Sequence, residues 1–170
     1  MVSNEGVVSG AELEQLMDRL EADYEEIGCE VEIGLLERLR VRPLHADSMD
    51  SVDRLHTLWM IAGDPKAARA VVNDDGAMLL QAAQPDKQAD IRMLLTLQRL
   101  HIAEYLEEDA TVLDELIQMR TIVTENPGID VSTYILLPIL DRLEEEGSPD
   151  IVQETAALRD AFELAMDGYV

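Results

Sequence analysis

The sequence predicts an all-α fold: one domain of about seven helices arranged as helical hairpins. Three observations carry that prediction. Apolar residues recur in steps of three and four through most of the chain, the spacing of a helix with one buried face. Helix starts and stops follow one another in order, as caps, prolines and glycines. Only residues 29–33, Cys29-Glu30-Val31-Glu32-Ile33, alternate as a strand would, and the sequence offers no second strand to pair with them.

The first helix opens at Ser9, with Glu12 three residues on as a capping box. Leu13, Met17, Leu20, Tyr24 and Ile27 follow in alternating steps of four and three, a heptad seam. The other faces carry Glu12, Glu14, Asp18, Glu21, Asp23, Glu25 and Glu26 against Arg19, and Gly28 ends the helix. Two heptads are too short to hold a coiled coil alone. The seam therefore packs on the rest of the domain or on a partner, which includes a second copy of the chain in a homodimer. The reading divides the chain into an N-terminal helical extension over 1–42, a loop over 43–49 and a helical-hairpin domain over 50–170.

The first hairpin runs through Val52, Leu55, Leu58, Trp59 and Ala62, turns at Gly63-Asp64-Pro65, and returns through Ala67, Ala68, Val71 and Val72. Asp64 caps the returning helix, and Pro65 fits its first position because the missing N–H has no partner there anyway. Asn73-Asp74-Asp75-Gly76 reads as a turn, followed by a short helix over 77–83 that ends near Pro85. The second hairpin starts near Lys87. Its first helix carries Ile91, Met93, Leu94, Leu95, Leu97, Leu100, Ile102 and Leu106 nearly all round, the mark of a central buried helix. Glu107-Glu108-Asp109 turns the chain, and a helix with Val112, Leu113, Leu116, Ile117, Ile122 and Val123 ends at Asn126-Pro127-Gly128. In the third hairpin a helix spans roughly 131–145, with a kink expected near Tyr134 because Pro138 cannot donate to it. Gly147 stops it. Ser148-Pro149-Asp150 opens the last helix, whose apolar face is Ile151, Thr155, Leu158, Phe162 and Ala165.

On Leu55, Trp59, Gly63-Asp64, Ala68 and Val72 the first hairpin resembles a tetratricopeptide repeat over about residues 52–75. The resemblance implies a TPR-like stack of hairpins as one form of the fold, an irregular bundle being the other. The match departs at Asp75, where the repeat has a small residue. The turns at Gly63, Asp109 and Gly147 lie 46 and 38 apart, against a repeat of about 34. Small acidic proteins built from such hairpins include the helical chaperones of bacterial type III secretion. The resemblance is one of class, and those chaperones carry more aromatic side chains than the six here.

Charge narrows the function classes. Thirty-six acidic residues face 13 Lys and Arg in 170 residues, a formal charge of −23. Direct nucleic-acid binding and adhesion to an anionic membrane both need an excess of cations, and the acidic balance disfavours them. The 47% apolar content excludes a chain disordered throughout. No apolar run reaches the length of a membrane span. The N-terminus lacks the basic start and apolar stretch of a signal peptide, so the expected location is cytoplasmic.

No catalytic constellation emerges. Cys29 is the lone cysteine, between Gly28 and Glu30, without the positive surroundings that activate a thiol; His45 and His56 are the nearest bases in sequence. His101 and Glu104 share a helix face, with Glu108 a turn beyond, but no second pair completes a bundle metal site. Asp74-Asp75-Gly76 lacks the alternating oxygens of a calcium loop. Only Lys66 and Lys87 are lysines, and no glycine-rich phosphate loop precedes either. The expectation is a protein with no enzymatic activity, cofactor or metal.

The remaining signal is surface charge. Residues 1–42 carry −7 and residues 129–170 carry −8, while each of the two middle quarters carries −4. Glu144, Glu145 and Glu146 with Asp150 form one cluster. The expected function is binding of another protein, with a basic partner favoured by charge, as a chaperone or adaptor of the secretion-chaperone kind. The alternative is an immunity- or antitoxin-like inhibitor of a basic, nucleic-acid-acting toxin. A metal-binding or enzymatic helical protein comes third. The partner-binding residues expected are Leu13, Met17, Leu20, Tyr24 and Ile27 on the seam, and Glu144, Glu145 and Glu146.

Overall fold

A computed structural model describes residues 48–61, 63–129 and 133–167. The seam Leu13-Met17-Leu20-Tyr24-Ile27, Cys29 and His45 lie outside the described residues. Every described element is helical: α1 (Met49–Ile61), α2 (Pro65–Ala70), a π turn (Val71–Asp75), α3 (Gly76–Ala82), α4 (Gln88–Tyr105), α5 (Asp109–Glu125), α6 (Thr133–Glu146) and α7 (Pro149–Asp167). The chain divides into two compact units, one through Gln81 and one from Ala82.

In the first unit α1 starts one residue earlier than Asp50, because Ser48 caps it. The Ser48 hydroxyl accepts from the Ser51 N–H at 3.2 Å, and its carbonyl accepts from Val52 at 3.0 Å. The helix closes in a Schellman turn: Gly63 N–H donates to Met60 O at 3.0 Å and Asp64 N–H to Trp59 O at 2.9 Å. Gly63 takes φ +69°, which a residue without a Cβ adopts at no steric cost. Asp64 then caps α2 as expected, accepting from Ala67 N–H at 3.1 Å with Pro65 at the first position. α1 packs on α2 and on the π turn. Val52, Leu55, Leu58, Trp59, Ala68, Val71 and Val72 are all buried. Ala68 has no exposed surface, so a larger side chain there has no room between the helices.

The turn expected at Asn73-Asp74-Asp75-Gly76 is not one. The backbone stays helical through it, with Gly76 at φ −60° and ψ −40° and its N–H bonded to Val71 O, five residues back. The extra residue is absorbed as a π turn inside a rod that continues from α2 to α3. Asp75 and Gly76 are buried, so packing on α1 overrides the turn preference of the Asn-Asp-Asp-Gly sequence.

In the second unit α4 and α5 form an antiparallel hairpin. α5 lies between α4 and α7, α7 also packs on α6, and α6 returns to α4 through a lighter contact. These are the contacts of a four-helix bundle. The core is one cluster that includes Met93, Leu97, Leu100, Leu116, Met119, Leu140, Ile151 and Leu158, with Phe162 packed against it half-buried. α4 is buried on two sides, as its all-round apolarity predicts: Leu95, Gln98 and Ile102 are shielded on the side opposite Leu100.

The connections follow local chemistry. α4 ends in a second Schellman turn, with Glu107 N–H on Glu104 O at 3.1 Å and Glu108 N–H on Ala103 O at 2.9 Å. Glu107 holds φ +56° there, a strained conformation for a residue with a Cβ. Asn126 ends α5 through its side-chain amide, which donates to Ile122 O at 2.9 Å. α6 begins at Thr133, so Pro138 falls in its second turn, where it leaves the carbonyl of residue 134 without the usual donor. At Gly147 a Cβ would collide with the Leu143 carbonyl and come within 2.8 Å of Ile151 Cγ2. Only glycine lets α7 start this close to the end of α6.

Candidate functional site: an acidic surface around arginine-bridged helices

Four arginines of the second unit bridge helices, one at each helix–helix contact. Arg99 of α4 donates from Nε to Glu115 of α5 at 2.8 Å, and its other arm reaches the Thr96 hydroxyl at 3.2 Å. Arg120 of α5 forks onto Glu154 of α7, its Nη2 at 3.3 Å from Oε2. Arg142 of α6 grips Glu104 of α4 at 2.8 and 3.1 Å. Arg159 of α7 takes Glu144 at 2.6 Å and Asp141 at 2.5 Å, both on α6. A guanidinium suits this work because its fork matches two carboxylate oxygens and its charge persists at any physiological pH.

These bridges use four of the six cations between residues 82 and 170, where 19 carboxylates lie. The bundle spends its positive charge between its helices, and the outer faces are left negative. Glu125, Asp150, Asp160 and Glu163 are exposed, as are Glu145 and Glu146.

The three glutamates singled out by sequence differ in role. Glu144 is tied to Arg159, so it serves the α6–α7 contact. Glu145 makes no ion pair among the described residues, and Glu146 acts on Arg142 only through space. Both sit in the last turn of α6, where the helix dipole is negative and disfavours them by about 0.3–1 kcal/mol each when exposed. Asp150, in the first turn of α7, sits at the favourable positive end. The fold therefore gains from Glu144 and Asp150, Glu146 offsets its unfavourable position through its attraction to Arg142, and Glu145 gains nothing local.

The metal-site candidate is occupied otherwise. Glu104 is held by Arg142, and His101 beside it is half-buried, its pKa pushed below the usual histidine value by burial against the opposing pull of Glu104. No three metal-ligating side chains cluster among the described residues. No described helix is long and apolar enough to cross a membrane.

Sequence reasoning missed the interhelical bridges. The partners stand 15 to 38 positions apart, beyond any local pairing rule. It also missed Glu115, which looks like one more surface acid but is buried with only Oε1 bonded. Burial pushes its pKa above the ordinary glutamate value, against the opposing effect of Arg99.

Comparison with protein-family models, curated proteins and solved structures gave no match.

Proposed function

We propose that the chain is a non-enzymatic binding protein whose acidic surface receives a basic partner protein, in the manner of a chaperone or adaptor. One observation carries the reading. The cations are drawn into helix–helix bridges, while Glu145 and Glu146 stand exposed where their own helix disfavours them. Glu145, which costs the fold something and has no ion pair among the described residues, is the kind of residue that recognition explains, with the exposed Glu146 beside it. Ile135 and Leu137, in the first half of the same helix, are also exposed and add apolar area to the surface of α6. The first hairpin buries Leu55, Trp59, Ala68 and Val72, the positions on which it resembles a tetratricopeptide repeat, and that pattern supports an adaptor role.

The test is co-purification of the full chain with its partner, followed by a Glu145→Lys/Glu146→Lys double variant. The complex is expected to weaken steeply between about 50 and 500 mM salt, as screening shortens the reach of each charge. It is expected to weaken further in the double variant, with the fold intact by circular dichroism. A partner that stays bound at high salt and to the double variant refutes the charge-led reading.

A further inference from the structure

Glu115 stands apart from the other carboxylates of the second unit. Its side chain is 7% exposed, the least of any carboxylate in the ion pairs described. Arg99 Nε donates to Oε1 at 2.8 Å, while Oε2 is buried with no hydrogen-bond partner. An ionised carboxylate has about four acceptor sites, and one charged donor leaves most of them empty in a dry setting.

The neighbouring charges do not repair this. From α4 the Arg99 guanidinium reaches it, and that guanidinium is also shared with Thr96. On its own helix Asp114 repels it. From α7, the other helix packed on α5, Glu154 is held by Arg120. A buried acid with one donor is relieved by taking up a proton, because the neutral form loses the desolvation penalty and still accepts from Arg99 through its carbonyl oxygen.

We propose that Glu115 is a proton-uptake site in the α4–α5 hairpin, and that this makes the second unit more stable as the pH falls from neutrality toward the ordinary carboxylate range. The direction follows from linkage. The folded state binds this proton at a higher pH than the unfolded chain does, so folding takes up a proton in that window. The stability is fully present below the unfolded value and is lost as the pH rises through the folded one.

The experiment compares urea unfolding of the full chain and of Glu115→Gln between about pH 5 and pH 8. The ratio of their folding constants is expected to change with pH in favour of the wild type on acidification, by at most about tenfold per pH unit, the limit for one proton. Glu145→Gln, at an exposed site, serves as the reference for removing one solvated carboxylate, against which the Glu115→Gln slope is read. Should Glu115→Gln fail to fold, carbon NMR of the wild-type Glu115 carboxyl reads the same quantity. Titration of Glu115 above the exposed glutamates supports the site. Titration together with them, or an unchanged pH slope in Glu115→Gln, overturns it.

Discussion

Thr155 offers a sharp test of how the buried face of α7 is built. It sits on the core face of α7 between Ile151 and Leu158 with no exposed surface, and its hydroxyl has no hydrogen-bond partner. A buried hydroxyl without a partner costs about 1–3 kcal/mol relative to one solvated in the unfolded chain. Valine has nearly the same shape, so Thr155→Val removes that cost and creates no cavity. It is expected to stabilise the protein by about 1–2 kcal/mol, allowing for imperfect fit of the new methyl. Thr155→Ser keeps the hydroxyl and deletes the methyl, so it is expected to destabilise by about 1 kcal/mol. The two variants thus move in opposite directions. Urea unfolding followed by circular dichroism measures both, with unchanged denaturant slopes showing that the unfolded states are comparable. The reasoning fails if Thr155→Val is the destabilised variant and Thr155→Ser is neutral. That outcome would mean that the hydroxyl bonds in solution, either to a trapped water or back to the Ile151 carbonyl one turn earlier.

Other substitutions probe the remaining features. Glu107→Gly relieves a left-handed residue in the α4–α5 turn and is expected to raise stability by up to about 1 kcal/mol in the same assay; a loss would show that the side chain matters more than its backbone strain. Gly147→Ala forces the α6–α7 turn open and should lower the melting temperature, whereas the same change at Gly63 meets no neighbour and acts only through its positive φ. Arg159→Gln releases Asp141 and Glu144 but should cost under about 1 kcal/mol, because Asp141 is 67% exposed and the pair is screened. His101 is expected to titrate below an ordinary histidine in proton NMR. Its contribution to stability is therefore present above the unfolded histidine value and is lost as the pH falls below it, opposite in sign to Glu115; a His101→Gln variant with unchanged acid sensitivity would contradict this.

Much of the helical layout was legible from the sequence, because helix ends are decided by neighbours a few residues apart. Asp64-Pro65, Gly63, Asn126 and Gly147 act where their spacing said they would. The failure at Asn73-Asp74-Asp75-Gly76 is of a different kind. Those four residues favour a turn locally, but Val71, Val72 and Asp75 are buried and the π turn packs on α1, which keeps the backbone helical. Tertiary burial outweighs a local preference worth about 1 kcal/mol per residue. The acidic candidates were half legible. Composition located Glu144, Glu145 and Glu146, yet nothing local distinguished Glu144, which Arg159 recruits from 15 positions away.

By itself, then, the sequence determined that this chain is helical, where most of its helices begin and end, and that it is strongly acidic. Each follows from composition or from contacts within one or two helical turns. Tertiary structure alone decided that α5 packs on α7, that four arginines are drawn between helices, and that Glu115 is buried while Glu145 is not. Those outcomes depend on which helix faces meet, and helical periodicity describes a face without naming its neighbour.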